Sequence, residues 1–479
     1  MKLSVVRGVV LDPVREALVS SAGGLLLQQT VRVSGLQRAL SAAVAPWRSE
    51  RATHDPGKVL VDLALAVALG GDCAADVAVV RAQPDLFGPV ASDPTVSRVI
   101  ARLAADAGQV LPAIRAARAK ARAAVWAAVW ARRRPLAGAA GSRDGGLVIV
   151  DLDATLVGAH SDKERAAPTY KKGFGFAPMC AFVDHGEHGT GEVLAVDLRP
   201  GNAAPGNAAD HITCLDAALL QLPETERSQV LVRADAGGSS KAFLHHITDL
   251  DLEYSVGFGA LDTVKAAIET IPETAWVDAI DGDGSPREGA QVADLTDWMP
   301  DPTVPTRSPA RFGPQHWPHT MRVIARRERP HPGAQLRLTD HNGWRITCFA
   351  TNTGIDPTGR HGWPIQDLEV RHRQRARAED RIRNLKDTGL RNLPFHGYTH
   401  NQIWLEIAAL AADLLTWTQT LAFDHHEPAR RWEPKRLRLR ILHVAGRITR
   451  TARRNHLRLP RDWPWNHLID TGWTTLQTT

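Results

Sequence analysis

Two short apolar runs, GLVIVDLDAT (146–155) and QVLVRADAGG (229–238), each finish in aspartate. Alternation puts Asp151 and Asp153 on one face of the first strand, and the second run ends at Asp235. A carboxylate at the carboxyl end of a buried strand loses hydration, so it either caps a turn or faces a cation. Two such strands in one unit favour the cation. FAPMCAFVDHG (176–186), EVLAVDLRPG (192–201) and LEYSVGFG (252–259) are further strand-like runs bounded by Gly, Pro and Asp, with HITCLDAALLQL and SSKAFLHHI between them as helices. Three early strands, a helix and further strands make a mixed α/β unit.

The rest of the 479 residues have a different grammar. Residues 1–140 read as helical, through VLVDLALAVALGG (59–71) and the Ala/Leu/Val/Arg-rich run 95–134. Ser92-Asp93-Pro94 marks a helix start with Thr95, Ser97 and Arg98 on the first turn, as in a helix-turn-helix near 80–110 or in many ordinary helices. Residues 260–365 are Pro/Gly-rich with strand candidates AWVDAI, TMRVIARRER, AQLRLTD and GWRITCFATN; the chain turns helical again over 368–387 and 399–423. Four cysteines without a C-x-x-C pair exclude a disulfide scaffold and a zinc finger, and no run is long and apolar enough to span a bilayer. The opening lacks a secretory apolar core, and a cytoplasmic, nucleoid-associated location is expected.

Charge becomes informative when it is located. Residues 426–479 carry twelve Arg/Lys against four acids, a net +8, so the total of +6 leaves the other 425 residues at −2. Such a concentrated excess suits a polyanion. RLRLRILHVAGRITRTARR, with Arg436 and Arg440, reads as an amphipathic helix laid on DNA. The run 368–387 is also basic. His372, Arg375, Glu379 and Lys386 share one helical face, and Glu379 sits among Arg371, Arg373, Arg375, Arg377, Arg381 and Arg383 with Asp380 the only other acid from 371 to 386. A helix this basic repels itself unless an anion lies along it, and nucleic-acid phosphate is the economical anion.

Asp153 in DLDAT, Asp235 in VRADAG and the helix pattern Arg375, Glu379, Lys386 resemble the Asp-Asp-Glu transposases of bacterial insertion sequences. The similarity is to the branch whose ribonuclease-H-like core is split by a β-rich insertion, within it the insertion-sequence "thirteen-eighty" group. The 144-residue gap from Asp235 to Glu379 leaves room for that insertion, and YKKGFGFAP (170–178), LRPGNAAPGN (198–207) and FATNT (349–353) resemble the family's phrases around the core strands. One departure is His372, where the family helix begins with Tyr.

The resemblance implies a DNA-end-binding region over 1–140, core segments over 141–259 and 366–425, an insertion over 260–365 and a basic C-terminal segment over 426–479. It implies an enzyme that binds the terminal inverted repeats of its element as a homodimer in a synaptic complex, cuts DNA and joins it to target DNA. Two Mg²⁺ or Mn²⁺ ions would be held by Asp153, Asp235 and Glu379, with Asp151 as an alternative ligand; oxygen donors without a Cys/His cluster suit these hard cations. Arg375, Lys386, His372, Arg383, Lys171, Lys172, Arg98, Arg436 and Arg440 are the expected DNA contacts, and Trp298 and Trp317 the candidates for stacking on a base.

Two other readings start from the same residues. VIVDLDATLV fits the D-x-D-x-T loop of haloacid-dehalogenase-like phosphatases, with Asp151 as nucleophile, Asp153 as acid/base and DAIDGDG (278–284) as the nearest match to the second metal motif. A non-catalytic DNA-binding protein of the same fold is the other, though all three acids are present.

Overall fold

A computed structural model describes residues 18–131, 146–187, 189–259, 262–299, 317–330, 333–335, 340–354, 363–423, 427–451 and 454–479. Most of the expected strand AQLRLTD and the start of the chain lie outside the described residues.

The N-terminal part is helical, with α1 (Pro56–Ala68), α2 (Asp93–Ala105) and α3 (Ala107–Ala131) its longest elements. Asp55 caps α1 by accepting from the Gly57 amide at 3.1 Å, and Pro56 occupies the first position, where no amide donor is needed. Ser92 stands at the start of α2 as expected, but its hydroxyl meets the Thr95 hydroxyl (3.1 Å) rather than a backbone amide.

The central strands follow: β1 (Val148–Ala154), β2 (Met179–Asp184), β3 (Glu192–Asp197), β4 (Val230–Ala234) and β5 (Glu253–Phe258). They lie in the order β3-β2-β1-β4-β5, with β1 antiparallel to β2 and parallel to β4, and β4 parallel to β5. This is the mixed sheet of a ribonuclease-H-like core. Val, Ile and Leu fill β1 and β4 almost continuously because both faces of these strands are covered.

The described strands between 277 and 351 do not form a sheet of their own. β6 (Val277–Ile280), β7 (Pro286–Asp294), β8 (Arg322–Glu328) and β9 (Trp344–Thr351) form antiparallel neighbours, and β9 pairs antiparallel with β5, so the insertion extends the same sheet to ten strands. An exposed edge at β5 is thereby covered.

The basic run read as one helix is two, α4 (Ile365–Arg373) and α5 (Arg377–Leu385), joined by a tighter turn at 374–376. After Lys386 the backbone kinks at Gly389, whose φ of +90° and lack of space beside Val67 and Ala408 both demand glycine. α6 (Tyr398–Ala422) follows and is buried on nearly every side, because the sheet covers one flank and α1 and α3 the other. Its acids are matched: Arg122 on α3 donates to Glu192 (2.7 Å) and, in a shorter contact, to Asp413, while Arg115 bonds Glu406 (2.5 Å) and Asp197 (3.0 Å). This network fastens the N-terminal helices to the core.

The C-terminal basic segment differs from the expected amphipathic helix. It folds as short turns over 428–442, an antiparallel hairpin of Gly446–Arg450 with Asn455–Arg458, and a helix over Asn466–Gln477. The period of two in GRITR is a strand pattern. Two of its arginines serve the interior: Arg430 donates to the Thr420 and Phe423 carbonyls, and Arg438 to those of Ala68, Val67 and Asp387.

Candidate active site

Register brings the first two acids together. Leu152 on β1 is paired with Ala234 on β4, so the next residues, Asp153 and Asp235, sit side by side at the carboxyl ends of parallel strands. Asp235 starts a tight turn and accepts from the Gly237 amide at 3.0 Å. Gly257 on β5 lies against this turn, where a Cβ would come within 2.7 Å of the Ala236 nitrogen. Glu379 enters from α5, close enough for its charge to act on Asp153. Burial, the negative charge of Asp235 and that of Glu379 together push the Asp153 carboxyl up to about 6, against the pull of Arg375. Arg375 Nη1 stands 3.5 Å from the Asp153 carboxylate.

Lys386 completes this corner. It is half-buried, and burial with the nearby charges of Arg391 and Lys171 draws its pKa below the usual lysine value. Both it and Asp153 act electrostatically on Cys180, the register partner of Asp153. Lys171 and Lys172 lie in the turn after exposed Tyr170, closed by a bond from the Thr169 amide to the Gly173 carbonyl (2.8 Å).

Asp151 shares the face of Asp153 but has another task. It is fully buried, and Arg233 donates to both its oxygens, at 2.7 and 2.8 Å. The same guanidinium bonds Asp184 (2.9 Å) and the Arg371 carbonyl (3.1 Å). Asp184 also accepts from Arg377 (3.1 Å) and Arg381 (3.2 Å) on α5, and against the cost of burial these three cations hold its carboxyl at about 2. The network clamps α4 and α5 onto the sheet and so sets where Arg375 and Glu379 stand. Asp151 is therefore fully buried in an ion pair rather than presented to a substrate, which counts against the phosphatase reading. DAIDGDG lies at the far edge strand, where Asp281 pairs with Arg287 and Arg373.

The self-repelling helix has an answer within the protein. Arg371 pairs with Glu253, Arg373 with Glu369 and Asp281, Arg377 and Arg381 with Asp184, and Arg383 with Asp380 and Glu433. Carboxylates of the sheet and of neighbouring turns supply the anion that the sequence assigned to nucleic acid.

Two expected contacts turn inward. His372 stacks on Phe349 (4.4 Å between centroids, 7° between planes) and bonds the Ser255 hydroxyl (3.0 Å); burial and the charges of Arg375 and Arg233 lower its pKa to about 3. Phe349 on one ring face and Ser255 at Nδ1 account for the position of this neutral ring as packing. Trp317 is buried edge-on against Phe258 and is likewise core rather than a surface platform, whereas Trp298 is 40% exposed. Arg98 is exposed on α2, Arg436 is exposed, and Arg440 lies over Trp432 and Trp465.

Arg233 and Asp184 escaped the sequence reading. A charge inside the apolar run QVLVRAD was the available signal, since a buried guanidinium needs a partner and Asp151 is its register neighbour.

No ion is needed to see why a cation fits. Three carboxylates converge, one is raised by burial and by the other two, and all donors are oxygen. Among the described residues, donor atoms of three such groups come within 4.8 Å of one another only at Asp72, Cys73 and Asp76. The Asp153, Asp235 and Glu379 cluster is more open. In the Asp72, Cys73 and Asp76 group, Asp76 already accepts from the Asp72 and Cys73 amides.

Residues 5–479 match the family described as transposase DDE domain, group 1. No curated protein matches the chain. Among solved structures, the piggyBac transposase synaptic complex with hairpin DNA is similar at 10% identity with a TM-score of 0.38, over 88% of this chain and 80% of that one.

Proposed function

Because the chain belongs to the transposase DDE domain group 1 family, we propose that it is the transposase of a bacterial insertion sequence of the "thirteen-eighty" group, with Asp153, Asp235 and Glu379 as its catalytic acids. The observation that carries the assignment is the convergence of these acids from β1, β4 and α5, with the Asp153 carboxyl raised to about 6 by burial and its two neighbours. The three would hold Mg²⁺ or Mn²⁺, two ions per site. Such ions, when bound, lower the pKa of an attacking water or 3′-hydroxyl and stabilise the leaving oxygen.

The chain's own residues do the rest. Arg375 stands 3.5 Å from one Asp153 oxygen and would help to orient that carboxylate. Lys386, which acts on Cys180 as Asp153 does, and its neighbour Lys171 would offer positive charge to the phosphodiester backbone of the substrate. Glu379 and Asp235 are exposed, so substrate DNA reaches them from one side of the sheet. The region over 1–140 and the exposed arginines of the C-terminal segment would hold the terminal inverted repeats, two protomers would join the ends in one complex, and the cut 3′ ends would be joined to target DNA. No helix among the described residues is long and apolar enough to cross a membrane, in keeping with work on chromosomal DNA in the cytoplasm.

The test uses DNA that flanks the coding region. Purified protein with Mg²⁺ should nick duplexes carrying matched inverted repeats, and Asp153→Asn, Asp235→Asn and Glu379→Gln should each lose cutting while keeping DNA affinity. Undiminished cutting by any of the three variants would sink the assignment.

A further inference from the structure

The N-terminal helices hold a cleft of about 400 Å³ between the 47–56 loop and α2, lined by Trp47, Arg48, Arg51, His54, Arg98 and Arg102 among others, and by no Asp or Glu. Its four guanidiniums form no ion pair among the described residues, whereas every arginine from 371 to 383 has a carboxylate partner. Of the acids nearby, Glu50 is exposed and forms no ion pair among the described residues, while the other three are already engaged. Asp93 binds Arg81 (2.9 Å), Asp106 accepts from the Trp47 indole (3.0 Å), and Asp55 accepts from Ser41 and Gly57.

The cleft is also built in advance. Arg48 donates to the Ala52 carbonyl (3.3 Å) and Arg102 to the Trp47 carbonyl (3.4 Å), which ties the loop to itself and to α2. Four like charges kept together around a concavity repel one another unless an anion enters. Counting the exposed Glu50 of the same loop, four arginines against one acid leave three net positive charges around this concavity.

The geometry points to a phosphate-binding cleft in which Arg48, Arg51, Arg98 and Arg102 grip the backbone of duplex DNA, separate from the catalytic acids. No element of the central sheet lines it. Guanidinium forks suit phosphodiester oxygens, and contacts of this kind position a duplex without reading its bases. The choice of DNA over a free nucleotide rests on the function proposed above.

Fluorescence anisotropy over a KCl series tests it, with the full-length chain, a duplex from the element's end and an unrelated duplex. Replacing all four arginines by Gln should reduce the log–log salt slope by about 3 to 4 on both duplexes, and weaken binding at least about tenfold at physiological salt. Lys at the same four positions should restore most of the slope. A melt confirms that these surface variants fold. If the wild type binds and the Gln variant keeps its slope, the cleft is not a DNA site while the transposase reading stands. If no duplex binds the wild type, that reading fails as well. ATP binding lost in the Gln variant without a change in DNA slope would make the cleft a nucleotide site and overturn the proposal.

Discussion

Asp153→Asn should stabilise the protein when no divalent cation is present. The Asp153 carboxyl is raised from 3.8 to about 6 by burial and by Asp235 and Glu379, and its side chain is only 15% exposed. About two pKa units correspond to about 3 kcal/mol, an upper figure because the two neighbouring acids are open to solvent and salt. The sign follows from proton binding. Below about pH 4 both folded and unfolded chains carry the proton and Asp153 costs nothing; between about 4 and 6 only the folded chain keeps it, so stability falls as pH rises; above about 6 the full penalty applies. Asn has nearly the same shape and no charge. In EDTA at pH 8 the variant should therefore melt a few degrees higher than the wild type, with the gap closing toward pH 4. Adding Mn²⁺ should reverse the order, since a cation at one thousand times its Kd adds about 4.1 kcal/mol to the wild type alone. Scanning calorimetry reads both effects. A variant less stable than the wild type in EDTA at pH 8, or a gap that does not close in acid, would refute the buried, repelled carboxylate on which the cation site is argued.

Arg233→Met should destabilise the fold by about 3 to 5 kcal/mol, because it leaves Asp151 and Asp184 buried without their shared cation; an unchanged melt would show that the clamp under α5 is not needed. Trp317→Ala should cost about 3 to 5 kcal/mol without a specific loss of DNA affinity, while Trp298→Ala leaves the melt unchanged. The opposite pattern would return Trp317 to the surface role that the sequence suggested.

What the sequence shows and what it hides divide along physical lines. The central strands were legible because apolar runs bounded by Gly, Pro and Asp have few alternatives, and alternation placed Asp151 and Asp153 on one face. The roles of those two acids were not legible. Only the parallel register of β1 with β4 shows that Asp151 faces Arg233 while Asp153 stands beside Asp235. The same limit explains the basic helix. Its charges look unbalanced along the chain, yet Asp184 and Glu253 are more than a hundred residues away from the arginines they neutralise. His372 read as polar, but its ring is flanked by Phe349 and Ser255 from two different strands. In the C-terminal segment, counting charge could not separate Arg438, which feeds buried carbonyls, from exposed Arg436.

Iron-directed cleavage of the polypeptide tests the central claim most directly. With Fe²⁺ in place of Mg²⁺, ascorbate and peroxide generate radicals that cut the chain next to the bound metal. If Asp153, Asp235 and Glu379 share one cation site, the wild type should be cut near all three positions, Mg²⁺ in excess should suppress the cuts together, and Asp153→Asn should abolish all of them. Cuts confined to one of the three segments, or cuts near 235 and 379 that survive Asp153→Asn, would contradict a single site built from three acids.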